Sequence, residues 1–132
     1  MAIGRFGHEQ QVYYLKATVN YNDTNIANGN VLGTLPIGAQ IVDIVVAIDT
    51  AFNAGTTNNL LLGTAAGGNQ IAATADTAAG VAGGKRVTTG LALAEPTADQ
   101  NVFVTYTQTG AAATAGKARI AIMFTMNHAL FQ

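Results

Sequence analysis

No cysteine, serine or tryptophan occurs among the 132 residues, and proline appears only twice. Without cysteine there is no disulfide framework, no thiolate nucleophile and no cysteine-ligated zinc, and the redox compartment is unreadable. Without serine, every serine-nucleophile mechanism is excluded. Charge is scarce too: 10% of residues are Asp, Glu, Lys or Arg, against roughly 25% in ordinary soluble domains. The formal net charge is -1, and Lys85-Arg86 is the one place where two cations adjoin. A nucleic-acid reader needs a basic face to neutralise phosphates, so no nucleic-acid partner is expected. Long apolar runs are missing as well. The longest in the middle, Ile44 to Ile48, is far short of the ~20 residues that span a bilayer. The N-terminus, Met1-Ala2-Ile3-Gly4-Arg5-Phe6-Gly7-His8-Glu9, lacks the apolar stretch of a signal peptide. The expectation is a soluble protein with no membrane partner, not exported by a Sec signal.

What is present is small and neutral: 25 alanines, 17 threonines and 15 glycines within a chain that is 49% hydrophobic. This length suits one domain, which buries about two-thirds of its extended surface and folds without staples. A surface of Thr, Asn and Gly repels its copies weakly, which favours life in an assembly; a Thr-rich monomer is the alternative.

Period-2 alternation recurs along the chain and a sustained helical stripe does not. In Ile41 to Asp49, Val42, Ile44, Val46 and Ile48 point one way, opposite Ile41, Asp43, Val45, Ala47 and Asp49. In Val102 to Thr109 the inward set is Val102, Val104 and Tyr106. In Ala118 to Met126 it is Ala118, Ile120, Ile122, Phe124 and Met126. Gln11 to Tyr21 alternates similarly and reads as a strand covered on both faces. Shorter strands are expected at Ile26 to Thr34, Asn59 to Gly63 and Val87 to Leu93, with turns at Asn28-Gly29, Pro36-Ile37-Gly38 and Asn53-Ala54-Gly55. Only Asn69 to Ala79 has a helix-forming composition, while Gly80 to Lys85 and Gly110 to Gly116 read as loops. The pattern predicts an all-β, single-domain sandwich of about eight antiparallel strands with one short helical crossover, covering 11–127, an N-terminal arm over 1–10 and a C-terminal tail over 128–132.

Groups able to do chemistry are sparse. His8 and His128 lie near opposite ends without a local carboxylate, so no metal site is expected. Asp43 and Asp49 share a strand face but stand about 20 Å apart at ~3.3 Å per residue, too far for paired acid and base work on a sugar. Gly83-Gly84-Lys85-Arg86 resembles the end of a phosphate loop but has Ala79 where glycine is required and Arg86 where Ser or Thr is required. No enzyme activity and no cofactor are expected. The ends are more informative: Phe6 precedes the first strand and Leu130-Phe131 follow the last, and apolar side chains in terminal segments need somewhere to be buried. Arg5, Phe6, Lys85, Arg86 and Phe131 are the candidate partner-binding residues.

The order of segments carries a resemblance. Gly33-Thr34-Leu35-Pro36-Ile37-Gly38-Ala39-Gln40-Ile41 leads into a valine-rich strand ending Thr50-Ala51-Phe52-Asn53-Ala54-Gly55-Thr56-Thr57-Asn58. There follow Leu60-Leu61-Leu62-Gly63-Thr64, an alanine-rich crossover, and Thr114-Ala115-Gly116-Lys117-Ala118-Arg119-Ile120-Ala121-Ile122. From Val31 to Met126 the chain resembles the small jelly-roll capsid cement or decoration proteins of tailed bacteriophages. The resemblance implies a jelly-roll β-sandwich and a virion structural protein on the outer capsid surface. It also implies synthesis in the host bacterial cytoplasm, the major capsid protein as partner, and self-association as a homodimer or homotrimer. The alternative reading is a carbohydrate-binding jelly roll displayed on the virion. Sugar platforms offer exposed aromatics, and here Tyr13, Tyr14, Tyr21 and Tyr106 are the candidates.

Overall fold

The computed structural model describes residues 12–126. Seven strands form: β1 (Val12–Asn20), β2 (Asn30–Leu35), β3 (Ala39–Thr50), β4 (Thr57–Gly63), β5 (Gly83–Arg86), β6 (Gln100–Thr109) and β7 (Lys117–Met126). A four-residue helix, α1 (Thr74–Thr77), and a 3-10 turn at Thr89–Ala92 complete the elements. One sheet has the order β1-β7-β3-β5 and the other β2-β6-β4. Successive strands therefore change sheets. The antiparallel pairs β1 with β7, β2 with β6 and β3 with β5 nest inside one another, as in a long hairpin rolled into a sandwich. This is the jelly-roll pattern expected from the sequence, with one strand fewer. Where β4 would meet an eighth strand there is a single bridge, Leu62 to Ala72.

The core lies between the sheets and follows the alternation. Ala118, Ile120, Ile122 and Phe124 of β7 face Val102, Val104 and Tyr106 of β6, and all are buried. Phe52 caps this layer, its ring 4.7 Å from that of Tyr106. Each large side chain removed from water contributes about 1.5–3 kcal/mol.

Four expectations need correction. In β3, Ile41 and Ile44 are both buried, whereas Val42 is 44% exposed. A bulge is responsible: Ile41 pairs with Phe124 and Asp43 with Met123, leaving Val42 as the extra residue and reversing the alternation before it. Val87 to Leu93 is not a strand. Backbone pairing with β3 begins at Gly83, in the expected loop, and ends just after Val87 donates its N–H to the Ile44 carbonyl at 2.8 Å. Leu91 and Leu93 then close the 3-10 turn by donating to Thr88 and Gly90.

The crossover is mostly extended, because both its ends are tied to strands. Ile71 donates to the Leu62 carbonyl and Phe52 donates to the Ala79 carbonyl, so only Thr74–Thr77 coils. Asp76 accepts the Ala73 N–H at 2.9 Å at its start, and Ala78, in the left-handed region at φ 42, ends it. Finally, Gln11 to Tyr21 is not covered on both faces. β1 is a sheet edge with Val12, Tyr13 and Tyr14 exposed.

The turns conform more closely. Gly38 has φ 80 in the Pro36–Gly38 turn, where Ala39 donates to the Pro36 carbonyl at 3.1 Å. That conformation favours glycine. Asn28-Gly29 also lies in a turn, though the turns run from Tyr21 and β2 starts only at Asn30, later than the expected strand from Ile26.

Candidate interaction surface

In a two-sheet sandwich the outward side chains of each sheet meet water and are normally polar. The β1-β7-β3-β5 sheet departs from that rule at its centre. Val45 and Ala47 of β3 stand opposite Ala121 and Arg119 of β7, and Lys16 and Thr18 of β1 follow on the next strand. Small side chains on the two central strands leave a shallow depression of about 540 Å³, floored by Val45, Ala47 and Ala121 and rimmed by Lys16, Thr18 and Arg119. Its floor is only partly exposed even without a cover.

Two ion pairs flank the depression, and Lys16 stands on its rim as well. Arg119 donates two hydrogen bonds to the Asp49 carboxylate, at 2.8 and 2.9 Å. The hydrogen bond and charge of Arg119 hold the Asp49 carboxyl below the usual aspartate range. On the β5 side, Arg86 meets Asp43 at 3.1 Å. Asp43 and Asp49 thus serve different cations, as their spacing along one strand requires. The register of β3 against β7 shifts beside each aspartate, between Ile41 and Asp43 and between Ile48 and Thr50. Exposed pairs of this kind add little stability, but each offsets an arginine charge on this face.

Of the five candidate partner-binding residues, Arg5, Phe6 and Phe131 lie outside the described residues, as do the arm over 1–10, the tail over 128–132, His8 and His128. Lys85 and Arg86 are neighbours on β5 but do not make one basic patch. Arg86 pairs across with Val45 on the outer face, while Lys85 pairs with the buried Val46 and turns its Nζ to the Val81 carbonyl at 2.9 Å. The sequence reading missed the Val45, Ala47 and Ala121 floor. Its signal was present in the alternation: outward positions of two central strands carry Ala and Val where Thr or Lys would serve a wetted face.

A second apolar region lies at the end of the sandwich where β1 begins and β7 finishes. Tyr13 stacks on Phe124 at 5.7 Å between ring centroids. With Pro36 and Met126 they line a nearly apolar cleft of about 270 Å³. Tyr14 in β1 is 61% exposed, and Ile37, in the turn before β3, is 57% exposed. Among the aromatic candidates for sugar stacking, Tyr106 is buried and donates its hydroxyl to Asn58 at 2.7 Å. Tyr21 packs against the core. Among the described residues no group of three or more His, Cys, Asp or Glu is placed to hold a metal ion.

Comparisons add a fold-level result. No protein-family model matches the chain, and no curated protein matches it. Solved structures do. A chain of the Cyanophage Pam1 capsid asymmetric unit superposes with a TM-score of 0.70 at 21% identity, covering 96% of this chain and 93% of that one. A chain of the capsid of Ralstonia phage GP4 gives a TM-score of 0.60 at 19% identity over 91% of this chain and 86% of its own. A chain of the acid-stable capsid of Helicobacter pylori bacteriophage KHP30 gives 0.63 at 17% identity over 89% and 93%. The sandwich described here is therefore, along nearly its whole length, a fold found in chains of phage capsid structures.

Proposed function

We propose that the protein is a structural component of a phage virion: a capsid cement or decoration protein that sits on the outer surface of the head and bridges major capsid protein subunits. The observation that carries this reading is the fold match over almost the entire chain to chains in phage capsid structures. The surface supports it. A sparsely charged face with an uncovered Val and Ala floor suits a broad, shallow contact with another protein. Such contacts gain strength by repetition at every symmetry-related site. The role needs no catalytic step and no cofactor. In this reading the N-terminal arm, with Arg5 and Phe6, reaches the neighbouring subunit.

Co-sedimentation tests it, with capsids assembled without this protein. Added protein is expected to pellet with them at a saturating, fixed ratio. Deleting Met1 to Glu9 is expected to leave the fold intact and lower occupancy. Failure of the full chain to bind such capsids overturns the proposal.

A further inference from the structure

We propose that the outer edge of β1, from Val12 to Thr18, receives an extended segment of a capsid subunit as an added strand, with a carboxylate of that segment beside Lys16. The inference rests on the capsid reading and specifies one of its contacts, a backbone ladder.

The pairing of β1 with β7 shows which backbone groups point outward. In an antiparallel pair, opposed residues that exchange hydrogen bonds alternate with opposed residues that do not. β1 runs against β7 in unbroken register, with Asn20 opposite Lys117, and the next residue, Tyr21, donates to the Gly116 carbonyl at 3.1 Å. Counting back by twos, Val19, Ala17, Leu15 and Tyr13 bond to β7, so Val12, Tyr14, Lys16, Thr18 and Asn20 turn their N–H and C=O groups away from it. Asn20 agrees with this count: its N–H donates to the Asp23 carboxylate at 2.9 Å, and its carbonyl accepts the Asp23 N–H at 3.2 Å. That turn closes the edge at one end. Among the described residues nothing takes the outward groups of Val12, Tyr14, Lys16 and Thr18.

The other three sheet edges are each blunted, as edges of soluble proteins usually are. β5 is only four residues long. β2 is bulged between Val31 and Gly33. β4 is covered by the crossover, where Thr77 Oγ donates to the Leu60 carbonyl at 2.9 Å and Leu62 exchanges hydrogen bonds with Ala72 at 3.0 Å. β1 has none of these devices. It is nine residues long, without proline, glycine or bulge, and VYYLKATVN is rich in strand formers with a single charge. The side chains of Val12, Tyr14, Lys16 and Thr18, which would flank an added strand on the outer face, are all exposed.

Lys16 selects the occupant. β1 holds no acid, and among the described residues no carboxylate pairs with Lys16. A second copy paired along β1 brings another lysine to the same face of the ladder and no counter-ion, and like charges across strands destabilise. A different strand with Asp or Glu beside Lys16 gains an ion pair instead. Its main-chain hydrogen bonds supply affinity whatever the rest of its sequence.

Amide hydrogen exchange and edge substitutions test the proposal. In the isolated full chain at low micromolar concentration, the amides of Tyr14, Lys16 and Thr18 are expected to exchange fast, and those of Tyr13, Leu15 and Ala17 slowly. On capsids assembled without this protein, the first three are expected to become slow as well. Thr18→Pro deletes an outward N–H and spares the β7 ladder, as proline on an edge strand does. It is expected to leave circular dichroism unchanged and to weaken capsid binding by about tenfold, the equivalent of one net hydrogen bond, while Thr18→Ala binds like wild type. Lys16→Glu, which alters no backbone group, is expected to weaken binding, and Lys16→Arg to retain it. Should Thr18→Pro fail to fold, Lys16→Glu and the exchange pattern decide. Slow exchange of Tyr14, Lys16 and Thr18 in the isolated chain at every concentration overturns the proposal, because the edge is then already filled. Slow exchange that appears only as concentration rises overturns it too, marking a second copy as the occupant. So does wild-type capsid affinity in folded Thr18→Pro or in Lys16→Glu, an outcome that leaves the capsid reading standing. Failure of the wild type itself to bind overturns the capsid reading and this contact with it.

Discussion

Asn58 shows how one polar side chain holds a corner of the core. Its Oδ1 accepts the Ala54 N–H at 2.9 Å and the Tyr106 hydroxyl at 2.7 Å, and its Nδ2 donates to the Ala54 carbonyl. The Asn53–Gly55 turn and the inner sheet face are thereby locked together. Tyr106→Phe removes one net hydrogen bond and is expected to cost about 0.5–1.5 kcal/mol in urea unfolding. Asn58→Ala strands the buried hydroxyl and is expected to cost more, about 1–3 kcal/mol. Equal losses for the two would show that Asn58 does not organise the turn. Titration reads a second residue. Because Arg119 lowers the Asp49 carboxyl pKa, the pair stabilises the fold above the unfolded aspartate value of about 3.9, and that contribution fades as pH falls through the lower folded value. Carboxyl-detected NMR is expected to place the Asp49 midpoint below that of an ordinary aspartate and to return it toward normal in Arg119→Ala. An unchanged midpoint would refute the pairing.

At the scale of elements, the bulge in β3 makes a sharp prediction, because simple alternation puts Val42 and Ile44 on the same side. The structure buries Ile44 and exposes Val42. Ile44→Ala is therefore expected to cost about 2–5 kcal/mol, and Val42→Ala less than about 1 kcal/mol, as surface changes do. Similar losses would mean that the strand runs without its bulge. This contrast also shows what the sequence could and could not disclose. β3, β6 and β7 were legible because their apolar residues recur with period 2 against a core. β5 was not, since Gly83-Gly84-Lys85-Arg86 has no apolar pattern and owes its form to backbone pairing with β3. The alanines of 69–79 signalled helix by propensity, but ladder bonds at Leu62 and Phe52 overrode it. The bulge was invisible because nothing in Ile41-Val42-Asp43-Ile44 says which of two adjacent apolar residues will be left out of register. The apolar floor at Val45, Ala47 and Ala121 was readable residue by residue, yet its meaning depended on knowing that β3 and β7 lie side by side.

For the whole molecule the question is what covers that floor. With both arginines of the face paired in Asp43–Arg86 and Asp49–Arg119, Lys16 is the remaining charge on the rim of the depression, and the Ala and Val centre offers a second copy close approach. Self-association to a dimer or trimer through this sheet is the expected outcome, and mass action then makes the melting temperature rise with protein concentration. Ala121→Glu places a carboxylate in the middle of the depression without touching the core. It is expected to leave the fold unchanged by circular dichroism, to yield a monomer by light scattering at tens of micromolar and to flatten the concentration dependence of melting. Attachment should follow, because an oligomer engaging several capsid sites at once gains on the order of 10²–10⁴ in apparent affinity over a single contact. The monomeric variant should therefore bind capsids more weakly by roughly that factor even when its direct contacts are intact. If wild type is already monomeric across this range, the face is not used for self-association. If Ala121→Glu is monomeric yet decorates capsids at wild-type affinity, one contact suffices and avidity is not the source of strength.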